Sequence, residues 1–130
     1  MKTLALILCT ILAFVFTSSV SAAEQSSKKI SLRHVVAFKF KEGTTKEQIK
    51  QVEDAFRDLK KKIKEINSYE WGTNISPEKH DKGFTHGFIV TFKSEKDRDI
   101  YLEHPDHKAF GKIVGPVLGD VFVIDFWAQD

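Results

Sequence analysis

The chain has 130 residues, with 20 basic and 18 acidic side chains, five histidines and a single cysteine. This length suits one domain, and a formal net charge of +2 leaves no strong field to attract nucleic acid or an anionic membrane. One cysteine cannot form an internal disulfide, so stability must come from packing, for which 11 phenylalanines are available.

Residues 1–22 have the features of a cleavable signal peptide. Lys2 gives the segment a positive start, the run Leu4–Phe16 is almost wholly apolar, and Val20-Ser21-Ala22 offers small residues for cleavage. The apolar run is shorter than the ~20 residues that span a bilayer, which disfavours an uncleaved anchor. We therefore predict export to a secreted or periplasmic location, with no stable membrane insertion after cleavage.

The sequence after the predicted cleavage point divides into a short polar segment and one domain. Removing residues 1–22 also removes Cys9 and leaves 19 basic against 18 acidic side chains. We predict a flexible lead-in over residues 23–30 and a single domain over residues 31–130. The domain would then contain no thiol, in a compartment where disulfides could otherwise form.

Residues 32–40 predict the first strand, because His34, Val36, Phe38 and Phe40 alternate along one face. The opposite face also carries apolar side chains, which predicts that both faces are covered. Thr44, with Glu47 three residues later, then fits a capping box that opens a helix. Along this helix apolar side chains recur at steps of three and four: Ile49, Val52, Phe56, Leu59 and Ile63.

Two further strands are predicted in the middle of the chain. Residues 66–75 form a less regular strand, with Tyr69 and Trp71 on one side. Residues 85–92 alternate more clearly, since Phe88, Val90 and Phe92 share one face with His86. A charged, proline-containing loop separates the two strands.

The next segment predicts two short helices that meet at a corner. Ser94, followed by Asp97, is a typical helix start, and Pro105 can occupy only the first turn of a helix. The first helix should therefore end near Glu103, and the second should run from Pro105 to about residue 113. A last strand is predicted over residues 121–127. Asp125 is the one carboxylate in this otherwise apolar run, and it fits a strand-end or dimer-contact residue.

Tyr101, His104 and His107 flank this corner. A corner can aim a phenol and an imidazole into one cavity, which suits acid/base chemistry on a small molecule. Histidines at a helix end can equally cap or pack the helix. Spacing alone leaves both interpretations open.

The order β-α-β-β-α-α-β predicts an α+β domain of ferredoxin-like plan, with an antiparallel sheet and helices on one face. The other face of such a sheet needs a cover, and its apolar side chains favour a second copy of the chain. We therefore predict a homodimer in which two sheets pack face to face as a dimeric α/β barrel.

Three segments resemble the stress-responsive A/B barrel (Dabb) domain family. They are the strand Leu32–Lys41, the segment Gly83–Phe88 and the corner Tyr101–His107, and the closing residues 123–126 also fit. The resemblance covers essentially the whole predicted domain in the right order. It implies a dimeric barrel in which each protomer encloses a cavity between sheet and helices.

The same resemblance implies candidate site residues, because the family includes a plant polyketide cyclase that closes its substrate without a cofactor. Tyr101 and His107 are similar to the acid/base pair of that cyclase, and His34 and His86 are similar to its pocket histidines. We add His104 to the ligand-binding candidates as a neighbour of this pair. No cofactor is implied.

Two functions remain as alternatives. The cavity binds a small apolar or aromatic molecule, oriented by hydrogen bonds from Tyr101 and the histidines. Alternatively, the protein is a cofactor-independent cyclase or lyase, in which His107 removes a proton beside a carbonyl and Tyr101 donates to the resulting oxyanion. A metal site is disfavoured because Pro105 interrupts the turn between His104 and His107 and no cysteine joins them.

Overall fold

A computed structural model describes residues 30–129. The predicted signal peptide and all but the last residue of the predicted lead-in lie outside the described residues, and both stay predictions. Within residues 30–129, no helix is long and apolar enough to cross a membrane.

Four strands form one antiparallel sheet in the order β2-β3-β1-β4. The strands are β1 (Leu32–Phe40), β2 (Ser68–Thr73), β3 (His86–Phe92) and β4 (Leu118–Trp127). The helices are α1 (Lys46–Lys62), α2 (Glu95–Glu103) and α3 (Pro105–Val114), and a single 3-10 turn, Gly115–Val117, leads into β4. This confirms the predicted ferredoxin-like α+β fold, although β2 is shorter and β4 longer than predicted.

The start of α1 differs from the prediction by one residue. Thr45, not Thr44, is the N-cap: its hydroxyl accepts from the backbone N–H of Gln48, whose side chain accepts from the Thr45 N–H. The predicted Thr44–Glu47 capping box is therefore wrong. Thr44 instead donates to the carbonyl of Lys41 at 2.7 Å, because it closes the turn that ends β1.

Aromatic rings fill the space between the sheet and α1. The Phe56 ring on α1 lies 4.5 Å from Phe88 on β3 and 4.7 Å from Phe110 on α3, measured between centroids. Phe38 on β1 lies 4.9 Å from Phe88. Offset and tilted ring pairs at such distances stabilise a core beyond the area that they bury. This cluster fixes the helices on one face of the sheet and so fixes the walls around the site.

The face of the sheet that points away from the helices, called the outer face below, remains uncovered. Cross-strand pairing places Val35 beside Ile89 and Ile124, and Ala37 beside Gly87 and Phe122. Phe122 is 49% and Ile124 45% exposed. Exposed apolar side chains that form a continuous surface mark an interaction site more often than a solvated one.

Candidate functional site

A cavity of about 540 Å³ lies between the inner face of β1 and β4 and the helices α2 and α3. Most of its wall is apolar, and its lining includes Val36, Phe38, Phe56, Phe110, Val114, Val121 and Val123. Four polar side chains interrupt this wall: His34, Tyr101, His107 and Asp125. A cavity of this size and composition suits a small organic ligand.

The corner between α2 and α3 positions the phenol and one imidazole of the site. Pro105 occupies the first position of α3, and the Nδ1 atom of His104 accepts from the backbone N–H of Asp106 at 3.2 Å. The chain therefore turns sharply after Glu103, as predicted. This turn brings the ring of His107 to 4.4 Å from the ring of Tyr101, measured between centroids.

The hydrogen bond of His107 fixes which ring nitrogen carries the proton. Its Nδ1 atom lies 3.1 Å from the carbonyl oxygen of Leu102. A carbonyl can only accept, so Nδ1 donates and Nε2 of the neutral ring keeps a lone pair. Burial lowers the pKa of His107, and the bond to Leu102 opposes this shift without cancelling it. His107 is therefore neutral at neutral pH and able to accept a proton at Nε2.

Tyr101 is 1% exposed, and burial raises the pKa of its phenol, with a smaller contribution from Tyr69. Its hydroxyl therefore stays protonated and can donate. No partner for this hydroxyl is found among residues 30–129. Within the same range only the hydroxyl of Tyr69 is both sealed from solvent and unpartnered. The Tyr101 hydroxyl is not one of these sealed atoms, and Tyr101 lines the cavity.

A second imidazole borders the same cavity. The Nδ1 atom of His34 on β1 lies 2.7 Å from Oδ1 of Asp125 on β4, and Nη1 of Arg98 on α2 donates to Oδ2 of Asp125 at 2.8 Å. Burial alone would raise the pKa of Asp125, but the hydrogen bonds from Arg98 and His34 lower it below its usual value. Asp125 is therefore a carboxylate that holds His34 in place.

Sequence reasoning placed Asp125 at a strand end or a dimer contact, whereas it lies on the inner face beside His34. Strand alternation carried the relevant signal, since Val121, Val123 and Asp125 share one face of β4. That signal could identify the face but not the partner, because His34 lies 91 positions away in the sequence. Arg98 on α2 carried no recognisable signal in the sequence.

The other two predicted ligand-binding histidines lie outside the wall of this cavity. His104 forms the N-cap of α3 and faces the carboxylate of Asp106 at 3.5 Å. His86 pairs with Phe38 across β3 and β1, and its Nε2 contacts Oε1 of Glu53 at 3.0 Å while its Nδ1 contacts the hydroxyl of Thr85 at 2.8 Å. A ligand role for either residue stays a prediction.

Within the part of the chain that the structure describes, no group of three or more His, Cys, Asp or Glu side chains is arranged to hold a metal ion. The described polar groups of the cavity can act as hydrogen-bond donors and acceptors.

The sequence profile of the Stress responsive A/B Barrel Domain (Dabb) family matches residues 32–128. The match spans every strand and helix of the described fold. The chain belongs to this family.

Curated relatives agree with this assignment. The chain is 33% identical over 95 residues to the stress-response A/B barrel domain-containing protein HS1 of Arabidopsis thaliana, covering 73% of this chain and 87% of that protein. It is 25% identical over 97 residues to olivetolic acid cyclase of Cannabis sativa, covering 75% of this chain and 96% of the cyclase.

Solved structures share the fold. Hydroxynitrile lyase from Passiflora edulis superposes with a TM-score of 0.73 and 26% identity, covering 78% of this chain and 96% of the lyase. A protein from Thermobifida fusca, described as dimeric and ferredoxin-like, superposes with a TM-score of 0.67 and 25% identity, covering 78% of this chain and 93% of that protein. The proteins that this chain resembles thus include two named enzymes and one protein described as dimeric.

Proposed function

We propose that the protein binds a small apolar or aromatic molecule that carries a carbonyl or hydroxyl oxygen, in the cavity between β1, β4, α2 and α3. The observation that carries this proposal is the hydroxyl of Tyr101, which has no partner among the described residues and lies in a mostly apolar wall. An apolar ligand would gain from burial, and its oxygen would accept the phenol proton. This pairing explains why a buried tyrosine keeps a hydroxyl without a protein partner.

Acetophenone is a suitable probe because it has an aromatic ring and one acceptor oxygen. We expect the purified protein to bind it and to melt at a higher temperature as its concentration rises. Tyr101→Phe should weaken binding about fivefold, since it removes one neutral hydrogen bond of about 1 kcal/mol and keeps the ring. Tyr69→Phe, which removes the hydroxyl that is sealed away from the cavity, is the matched control. Equal affinity of the wild type and Tyr101→Phe would contradict the proposal.

A second candidate function is cofactor-independent acid/base catalysis of the cyclase or lyase type, with His107 and Tyr101 as the catalytic residues. It is favoured by the neutral His107, whose free Nε2 lies on a ring 4.4 Å from the phenol ring. Nε2 would take a proton from the carbon beside a carbonyl, and the C–H electron pair would form the enolate. The Tyr101 hydroxyl would donate a hydrogen bond to the enolate oxygen and so stabilise the enolate. The enolate carbon would then attack an electrophile or recover a proton.

Exchange of the acetophenone methyl protons in D₂O tests this second function directly. The wild type should accelerate exchange by about 100-fold or more over buffer, as positioned general bases do. His107→Gln should keep acetophenone affinity and lose the acceleration. Acceleration that survives in His107→Gln would show that another residue is the base. Tight binding without any exchange would contradict the catalytic function and support binding only.

We also propose that two copies of the chain associate through their outer faces. The proposal is supported by a contrast in side-chain size across that face. Gly72, Gly87 and Ala37 lie in one row beside Phe122, and a Cβ atom added at either glycine would meet nothing within 4 Å. A depression of about 520 Å³ lies over this row. In a face-to-face pair, the large side chains of β4 would fill the depression of the other copy.

Export is proposed on the sequence of residues 1–22 alone. The protein recovered from the medium or periplasm of expressing cells should begin at Ala23 or Glu24, as measured by intact mass. Recovery of the full-length chain from the cytosol alone would contradict this proposal.

A further inference from the structure

We propose that Asp125 and Arg98 set the tautomer of His34, so that His34 Nε2 accepts a hydrogen bond from a hydroxyl of the ligand. The proposal rests on the binding function above and adds a second polar subsite to it. It assigns the ligand class more closely: an aromatic or apolar molecule with a hydroxyl, phenolic or enolic, in addition to any oxygen that faces Tyr101.

His34 is 6% exposed, so its hydrogen bonds are made inside the protein. Its Nδ1 atom faces Oδ1 of Asp125 at 2.7 Å. A carboxylate can only accept, so Nδ1 carries a proton, and whenever the ring is neutral Nε2 carries the lone pair. The described residues offer Nε2 no partner, and it is not among their sealed polar atoms, which leaves it open to the cavity.

Arg98 fixes the donor and acceptor order of the hydrogen bonds that lead to His34. Its Nη1 atom donates to Oδ2 of Asp125 at 2.8 Å, and its Nε and Nη2 atoms donate to Asp99. A guanidinium has no acceptor, so the atom of residue 125 that faces Arg98 must be an acceptor. When the His34 ring is neutral, the chain from Arg98 through Asp125 to His34 therefore places a lone pair, not a proton, at the cavity end.

The ring of His34 lies 5.8 Å from the ring of Tyr101, measured between centroids. Tyr101 presents a donor to the cavity, whereas His34 presents an acceptor. A ligand with one acceptor oxygen and one hydroxyl satisfies both groups. A ligand without a hydroxyl leaves His34 Nε2 unpaired once the ligand excludes water from it.

The substitution Asp125→Asn separates this role from simple packing. Arg98 requires an acceptor, so the Asn oxygen turns to Arg98 and the Asn NH₂ group turns to His34. His34 Nδ1 must then accept, and the ring proton moves to Nε2. Removing the guanidinium in Asp125→Asn/Arg98→Ala frees the amide to turn over, which restores the original tautomer.

The test combines imidazole ¹⁵N NMR with binding of two probes, phenol and its methyl ether anisole. In the wild type, His34 should show a protonated Nδ1 and a bare Nε2, and phenol should bind about fivefold more tightly than anisole. Asp125→Asn should move the proton to Nε2 and abolish the preference for phenol. The double variant should recover both, and Asp54→Asn on the exposed face of α1 should change neither.

A protonated Nε2 in the wild type, or an unchanged tautomer in Asp125→Asn, would overturn the proposal. Equal binding of phenol and anisole by the wild type would overturn it while leaving the cavity's binding function intact. Failure of the wild type to bind either probe would overturn the binding function and this subsite together.

Discussion

The ring of His107 lies 4.4 Å from the ring of Tyr101, centroid to centroid, although a helix end and a proline separate the two residues in the chain. The contact exists because α2 ends at Glu103 and α3 begins at Pro105. A continuous helix would place residues 101 and 107 on different sides, since six residues span about 1.7 turns. The interruption at Pro105 thus creates the pairing of phenol and imidazole.

The two tyrosine hydroxyls of the described fold have different surroundings, so removing each should change the free energy of unfolding by a different amount. The hydroxyl of Tyr69 is sealed without a partner, and such a group costs about 1–3 kcal/mol. Tyr69→Phe should therefore raise the free energy of unfolding by about 1 kcal/mol. Tyr101→Phe should change it by less than that, because its hydroxyl meets the cavity. Urea unfolding of both variants measures the difference; a larger gain in Tyr101→Phe would contradict the assignment.

His107 should make the protein less stable in acid. Its folded-state pKa lies below its ordinary value because burial disfavours the charged ring. Between about pH 6.5 and the lower folded-state pKa, the unfolded chain binds this proton while the folded chain does not. The free energy of unfolding therefore falls as the pH drops from about 6.5 to the folded pKa. The His107→Gln variant should not show this loss of stability. Measuring the free energy of unfolding of the wild type and the variant between pH 7.5 and 5 therefore tests the pKa shift. A constant difference would show no pKa shift.

Phe56 should be among the most costly core residues to truncate. It is 1% exposed and its ring meets Phe38, Phe88, Phe110 and Tyr69. Phe56→Ala should lower the free energy of unfolding by about 3–5 kcal/mol through lost burial and a residual cavity. Ile75→Ala, at a loop residue that is 92% exposed, should change it by less than about 0.5 kcal/mol. Chemical denaturation of the wild type and both variants provides the comparison, with the same dependence of the unfolding free energy on denaturant concentration in all three.

The proposed dimer predicts the effect of a charge on the outer face. Phe122→Glu should give a monomer, because a buried carboxylate without a partner opposes association. The monomer should remain folded, since Phe122 is 49% exposed within one copy. Ile75→Glu adds the same charge at an exposed loop and should leave the oligomeric state unchanged. Light scattering gives the masses; a Phe122→Glu protein that stays dimeric would place the interface elsewhere.

The sequence by itself was sufficient for the order and type of the elements. Alternating apolar residues identified β1 and β3, the three-and-four spacing identified α1, and Pro105 fixed the corner within one residue. These features are local, because periodicity and proline geometry act within a few residues. The capping box was missed by one position, since Thr44 and Thr45 both carry the required hydroxyl and only the turn after β1 decides between them.

Tertiary structure alone decided which polar residues meet. It joined His34 to Asp125 across two paired strands and Arg98 to Asp125 from a helix, and it directed His86 to Glu53 rather than into the cavity wall. Register sets these distances, because residues on one face of a strand are about 6.6 Å apart at each step of two. Residue type named the candidates, but only strand pairing and helix packing determined which of them share one cavity.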